Sequence, residues 1–376
     1  MSKHKLKIAY MVGTLNQGGL ESLVADICRM HAIADFEIVC IYRHEGGASD
    51  LFHSSGVRMI QLKCRHYLSY LFQLRKTIVA ERVDIVHAHT QSNALVSVLS
   101  LWGTSIPTIT TLHGFSFADA GRAYCRFIYR QCKQLICVSQ YQRQYYMRKW
   151  KLAEPNKLQV VYNGIDFAKL DAVEQKNEKV RELGNEGRIR LAMVGSFMEG
   201  RSQKVIVKSM QVLKESGITN FDFFFVGRRV DSEPWRYDEC VKYCKENNLE
   251  NVHFLGGRSD VPSLLKAMDG FVYSTEHDTF GIAVVEAMAA GLPVIVNDWV
   301  VMKEITNDGK WATLFRTDDV EDCADKMAEL INELQHNKKR VQECTAQIAQ
   351  EVRAKFSIEN HIKQIRQVYK QIDNEK

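Results

Sequence analysis

The sequence predicts an α/β protein built from two doubly wound, Rossmann-like domains, each a parallel sheet with helices on both faces. Three observations predict it. Short apolar runs alternate with amphipathic segments, the alternation halts at a polar stretch and then restarts, and 376 residues exceed what one ordinary core holds. In the first half, Leu6–Val12, Phe36–Tyr42, Ile85–His87, Thr108–Leu112, Leu135–Val138 and Leu158–Tyr162 read as strands, with helical patterns such as Glu21–His31 and Leu68–Glu81 between them. The polar stretch Asp166–Arg188 marks the boundary, placing the domains at 1–170 and 171–356. The pattern resumes with strands at Ile189–Val194, Phe221–Val226, His253–Leu255, Gly270–Tyr273 and Pro293–Val296, and ends in helices near Val320–Ala354 and Ile358–Ile372. Two such sheets in series are expected to face each other across a cleft, because ligands of these sheets bind beyond the carboxyl ends of the strands.

Composition narrows the function classes. With 45% hydrophobic and 25% charged residues and only 5 prolines, the chain is globular rather than disordered or low-complexity. No fixed-period repeat is visible, and no apolar run approaches the ~18 residues of a membrane span. The segment from Met1 to Gly13 reads as a first buried strand rather than a secretory signal. The 10 cysteines are scattered without a C-x-x-C pair, which predicts reduced thiols in a cytoplasmic protein. The net charge of +5 is uneven. Residues 1–170 hold 21 Lys and Arg against 11 Asp and Glu, a balance of +10; the remainder hold 29 against 34, a balance of −5. The first half is therefore expected to meet something anionic.

The segment that concentrates chemistry is Asp278-Thr-Phe-Gly-Ile-Ala-Val-Val-Glu286. A strand runs into a loop, and the loop feeds a helix starting near Gly281–Ala283, so unpaired N–H groups of that helix start are available to an anion. Gly281 permits close approach of a ligand to the backbone. Asp278 before the helix and Glu286 inside it can accept from paired sugar hydroxyls at two heights. The bland alternative is a capping Asp278 and a solvated Glu286.

This segment resembles the acidic E-x7-E motif of the retaining GT-B glycosyltransferases of family 4. The resemblance extends over about Leu6 to Ile372. It includes Gly18-Gly19-Leu-Glu21, Asp84-Ile-Val-His-Ala-His89, Thr111-Leu-His113-Gly114, Val138-Ser139, Tyr162-Asn-Gly-Ile-Asp166 and Phe254-Leu-Gly-Gly-Arg258-Ser-Asp260-Val-Pro262. It implies that a helix at about 357–372 returns to the first domain. It also implies transfer of a sugar from a nucleotide-diphosphate sugar, with retained anomeric configuration, to a glycan or lipid-linked acceptor in cell-surface polysaccharide or lipopolysaccharide synthesis. Carried over by position, Glu286 holds the nucleotide ribose, Asp278 holds donor-sugar hydroxyls, the backbone around Phe280, Gly281 and Ile282 faces sugar or phosphate, and His113 lies by the sugar and phosphate. Nucleotide-base selectivity falls to the loop near Arg258.

Three departures from the family pattern accompany the match. Asp278 stands where Glu is commoner. The loop is one residue longer, which makes Glu276 a rival for the sugar contact. Ser196 follows Gly195 where the family supplies an Arg, so Arg201, at the position of a family Lys, is left as the expected diphosphate cation, with Lys204 one helical turn on as a substitute. Arg228 and Arg229 are further candidates. No D-x-D motif is present, so neither a metal nor another cofactor is expected beyond the nucleotide sugar as co-substrate.

In the first domain, Gly18 and Gly19 lie between a strand and a helix, where their N–H groups suit an anion, or form an ordinary turn. His87 and His89 are expected to point to opposite faces of their strand and are read as structural. Arg122, Arg126, Arg130 and Lys133 recur beside Tyr124, Phe127 and Tyr129; Arg143, Arg148, Lys149 and Lys151 recur beside Tyr141, Tyr145, Tyr146 and Trp150. This cluster suits an anionic membrane surface, which predicts an enzyme peripheral on the inner face of the cell membrane. A solvated basic face is the alternative; nucleic acid is not expected, since no recognition module accompanies the charges. Three other readings compete with transfer. They are a nucleotide-sugar epimerase of the same fold, a binding protein with a decayed site, and a dehydrogenase, which the missing G-x-G-x-x-G disfavours.

Overall fold

The computed structural model describes residues 5–16, 18–115, 122–150, 155–173 and 184–375. Contacts divide the chain into two compact units, Met1–Asp166 with Phe356–Lys376, and Phe167–Lys355.

The first unit holds seven parallel strands: β1 Leu6–Met11, β2 Phe36–Tyr42, β3 Arg58–Gln61, β4 Ile85–Ala88, β5 Thr108–Leu112, β6 Gln134–Cys137 and β7 Leu158–Val160. Their order is β3-β2-β1-β4-β5-β6-β7. The central strands are mostly apolar, as parallel strands covered twice tend to be, with buried polar exceptions such as His87 and Thr110, and register is fixed by rows such as Ile38, Ile8 and Ile85. One face is covered by helices Gly19–Arg29 and Ile358–Asn374. The other is covered by Tyr67–Ala80, Gln91–Ser100, Arg122–Gln131 and Gln140–Trp150.

The C-terminal helix belongs to the first unit because Ile358, Ile362, Ile365, Val368, Tyr369 and Ile372 recur at helical spacing and bury together. Ser357 caps it by accepting from the Asn360 N–H. The helix meets the chain at Gly164, where a Cβ would lie 2.4 Å from that of His361; only glycine allows this approach.

The second unit holds β8 Ile189–Val194, β9 Phe221–Val226, β10 Val252–Gly256, β11 Gly270–Tyr273, β12 Val294–Asn297 and β13 Thr313–Phe315. All are parallel, in the order β10-β9-β8-β11-β12-β13. Strand order reverses between β1 and β4 in the first sheet and between β8 and β11 in the second. The crevices at the carboxyl ends of these pairs are the sheets' ligand positions.

Two strands, β3 and β13, lie outside the expected set. Both are short sheet edges with a partly exposed burial pattern. The single helix expected over Val320–Ala354 is two, Val320–His336 and Lys338–Phe356, separated at Asn337. All ten cysteines are free thiols. Among the described residues, no helix is long and apolar enough to cross a membrane.

Candidate functional site

The second sheet's reversal point is built from two loops. After β8, Gly195 and Ser196 lead through a turn at Gly200 (φ +82°) to Arg201 and helix Gln203–Glu215. After β11, Ser274 to Gly281 leads to helix Ile282–Ala289. The pairing of β8 with β11 brings the loops together, and Arg201 and Thr275 form an antiparallel bridge between them. Asn297, buried at the end of β12, clamps the second loop: its Oδ1 accepts from the Thr275 N–H at 3.0 Å and its Nδ2 donates to the Thr275 carbonyl at 2.7 Å.

Arg201 and Asp278 meet in this frame. Arg201 Nη1 donates to Asp278 Oδ1, and the Tyr273 hydroxyl donates to Asp278 Oδ2 at 2.6 Å. The guanidinium lies over the Tyr273 ring, 5.5 Å from its centroid. The pair is largely sequestered, with side-chain exposures of 23% and 12%. Burial opposes the Arg201 charge, but Tyr273 and Asp278 together hold its pKa above the ordinary value. Burial likewise pushes the Tyr273 hydroxyl well up, so it stays a protonated donor. Arg201 Nε and Ser274 Oγ are buried without hydrogen-bond partners. A Cβ on Gly195 would stand 3.4 Å from that Nε, so the spare donor lies at the mouth of β8. These are two unsatisfied polar atoms at the second sheet's reversal point.

The other expected residues fall as follows. Glu276 is exposed and accepts from the Ser202 hydroxyl at 2.5 Å. Phe280 is buried, and Gly281, at φ +89°, precedes the first residue of helix Ile282–Ala289. Glycine is doubly required there, since a Cβ would also stand 2.8 Å from the Met302 methyl. Glu286 is half-buried in the same helix. Lys204 is exposed and pairs with Glu239 at 3.0 Å on helix Pro234–Glu246, so it is not gathered with Arg201 and Asp278. Arg258 forms a bidentate pair with Asp260 at 2.8 and 2.6 Å, and Arg229 one with Asp238. Among the described residues, no three His, Cys, Asp or Glu side chains are grouped to hold a metal ion.

In the first unit, Gly18 lies in the loop after β1. Its φ of −161° is ordinary extended backbone, and Gly19 opens the following helix. The histidines correct the sequence reading. His87 and His89 do not diverge: residues two apart on a strand share a face, and their rings are 4.3 Å apart. His87 Nδ1 is 2.7 Å from the Tyr369 hydroxyl and Nε2 is 2.7 Å from Thr111 Oγ1. The Tyr369 hydroxyl also contacts that of Tyr10 at 3.1 Å, so Tyr10, Tyr369, His87 and Thr111 form one buried polar chain. His89 Nδ1 is 3.4 Å from His113 Nε2, and His89 Nε2 is a buried orphan. Burial lowers all three pKa values, that of His113 to about 3 with help from His361.

Tyr273, Ser274, Thr275, Asn297, Tyr10, Tyr369 and His361 carry these arrangements, yet none stands out in the sequence. The available signal was a polar residue ending each of the apolar runs Gly270–Tyr273 and Val294–Asn297. In the basic cluster, Arg126, Arg130, Lys133, Arg148 and Lys149 are exposed. Lys151 and the side chain of Arg122 lie outside what the structure describes.

Comparison with known proteins decides the family. Residues 17–169 match Glycosyltransferase Family 4 and residues 174–347 match Glycosyl transferases group 1. The chain belongs to the retaining GT-B glycosyltransferases of family 4. This glycosyltransferase is 25% identical over 313 residues to the UDP-Gal:alpha-D-GlcNAc-diphosphoundecaprenol alpha-1,3-galactosyltransferase of Escherichia coli, covering 78% of this chain and 80% of that one. Its fold matches a glycosyltransferase from Rickettsia africae with TM-score 0.85 and 18% identity, covering 98% and 99% of the two chains. It also matches Anabaena HepE in complex with UDP and glucose, with TM-score 0.83 and 18% identity over 97% and 99%. The enzyme is thus a hexosyltransferase-type glycosyltransferase, and the epimerase reading is not favoured.

Proposed function

We propose that this glycosyltransferase moves a hexose from a nucleoside diphosphate sugar to a glycan or lipid-linked acceptor, in cell-surface polysaccharide or lipopolysaccharide synthesis. The observation that carries the donor site is the Arg201–Asp278 pair at the second sheet's reversal point, with the orphaned Arg201 Nε and Ser274 Oγ beside it. Arg201 can keep one N–H on Asp278 and offer Nε to a diphosphate oxygen, because guanidinium donors are arranged as a fork. Asp278 and Glu286 then accept from sugar and ribose hydroxyls, the N–H groups around Phe280–Ile282 face the phosphates, and Arg258 lies toward the base.

In the reaction the bond from the anomeric carbon to the diphosphate oxygen breaks and a bond to the acceptor oxygen forms on the same face. The acceptor proton passes to the departing diphosphate, whose growing charge Arg201 stabilises. The metal-free reading is supported by Asp278 already being bound to a cation of the protein. It predicts turnover that survives EDTA. Work at the cytoplasmic membrane face is supported by the +10 balance of residues 1–170 and by the lipid-linked acceptor in the Escherichia coli relative's name.

A thermal-shift panel of nucleotide sugars, followed by mass analysis of products, tests the proposal. A donor at a hundred times its Kd raises stability by about 2.7 kcal/mol. Free nucleotide diphosphate then appears in step with glycosylated acceptor. Conversion of the donor to an epimer without nucleotide release would overturn it.

A further inference from the structure

Helix Tyr67–Ala80 has two apolar sides, and the fold uses one. Tyr70, Leu74 and Ile78 are buried in the first unit's core. On the opposite side Leu68, Phe72, Arg75 and Val79 follow i, i+4, i+7, i+11 and form a stripe along the whole helix. Leu68 is 78% exposed, Phe72 70% and Val79 54%. Arg75 joins the stripe to Trp102, 61% exposed, by donating to its carbonyl at 2.8 Å. Trp102 stacks in parallel on Phe127 of helix Arg122–Gln131 at 6.5 Å. Trp102 also borders an open hollow of about 360 Å³ lined by Arg130, Lys133 and Lys157. The face therefore presents exposed apolar residues with cations beside them. Acids are few in the sequence here, with none from Leu51 to Ala80 and Asp119 alone between Asp84 and Glu154; two reach the face, Glu81 at the end of the helix and Glu375, which pairs with Lys133 at 2.8 Å.

We propose that this face seats an anionic phospholipid bilayer, with Leu68, Phe72 and Trp102 entering the interface and the flanking cations resting on lipid phosphates. The inference deepens the membrane reading above and rests on it, changing docking by charge alone into docking by insertion as well. Large exposed apolar residues on one face mark an interaction surface, and Trp suits the boundary between headgroup and chain. The net positive rim, Arg75, Arg130, Lys133 and Lys157 against Glu375, selects the occupant. A second copy of the chain would set a net positive rim against itself across a two-fold interface, whereas lipid phosphates complement that net charge.

Binding of the full chain to phosphatidylcholine vesicles, with and without phosphatidylglycerol, at low and high salt tests this. The wild type should bind the anionic vesicles and retain part of that binding at high salt, because apolar insertion is not screened. Leu68→Ser with Phe72→Ser should lower the partition coefficient at least about tenfold and make the residue of binding fully salt-sensitive, with the melting temperature unchanged since both side chains are exposed. Brominated lipid should quench part of the tryptophan emission, and Trp102→Phe should remove that part. Failure of the wild type to bind anionic vesicles would sink the membrane reading and this proposal together. Equal binding by the double variant at both salt levels would overturn insertion alone and leave docking by charge standing. A wild-type dimer in sedimentation that the double variant splits would assign the face to a second copy instead.

Discussion

Replacing Asp278 by Asn should make the enzyme less stable, a tighter binder of free nucleoside diphosphate and a slower catalyst at once. The Arg201 guanidinium is only 23% exposed, and its ionic partner is Asp278. Losing one member of a buried pair costs about 3–5 kcal/mol, because the other charge stays buried without compensation. The amide oxygen still accepts a hydrogen bond and the Tyr273 ring still lies beneath the guanidinium, so the low end, about 3 kcal/mol, applies. For a unit of this size each kcal/mol moves the melting temperature by about 2–4 °C, giving a fall of roughly 6–12 °C. The same change frees Arg201 from a competing anion. Affinity for the free nucleotide should then rise about tenfold, or ~1.4 kcal/mol. Turnover should fall, since the sugar loses its carboxylate. Calorimetry measures the first two quantities and product formation the third. A melting temperature within about 1 °C of the wild type would refute the buried-pair reasoning. Weaker binding of the free nucleotide would show that Asp278 positions Arg201 for the phosphates rather than competing for it.

Arg201→Ala should lower kcat with KM less affected, because its contact strengthens as the diphosphate departs, while Lys204→Ala, already paired with Glu239, should change little; the reverse ranking moves the cation one turn along the helix. Glu286→Gln should keep the fold and weaken donor binding by about 1.5–3 kcal/mol, read by titration calorimetry, and unchanged affinity would remove Glu286 from the site. Acid should destabilise the first unit. His113 is held neutral with a folded pKa of about 3, and burial also lowers those of His87, His89 and His361, so their contribution is complete above the unfolded histidine value of about 6.5 and is lost as pH falls toward 3. Denaturant unfolding of the first unit unchanged between pH 7 and pH 4 would contradict this.

The central strands were legible because a parallel strand covered on both faces is mostly apolar, as in Gly270–Tyr273; Phe221–Val226 and Ile85–Ala88 each admit one buried polar residue, Asp222 and His87. The edge strands Arg58–Gln61 and Thr313–Phe315 were not, since one flank of each faces solvent and neither alternation nor an apolar run survives. The break at Asn337 was hidden by helix formers on both sides. The error over His87 and His89 was one of strand periodicity, not of missing information. The exposed stripe of helix Tyr67–Ala80 could not be separated from the buried one, because both are apolar and only packing decides which is covered. The contacts of Arg201 are tertiary in the same sense. Its partner lies 77 positions away and meets it only because β8 and β11 pair as parallel neighbours.

The departures from the family pattern, Ser196, Arg201 and Asp278, gather at one place and compensate one another physically. A site with two cations can carry a long, mobile acid. With Ser196 in place of one cation, a free carboxylate in this crevice would face the diphosphate with too little positive charge to balance both. Asp278 is instead tied to Arg201 and Tyr273, which fixes a shorter acid that cannot swing toward the phosphates. Arg in place of Lys makes this possible, because an ammonium pinned to a carboxylate is a single point charge, while a guanidinium held through Nη1 keeps Nε as a further donor, here buried and unsatisfied. In the proposed donor site this one cation would serve both a protein anion and a ligand anion. On this reasoning Arg201→Lys would retain the charge but not the second donor. The substitution would act on transfer more than on stability.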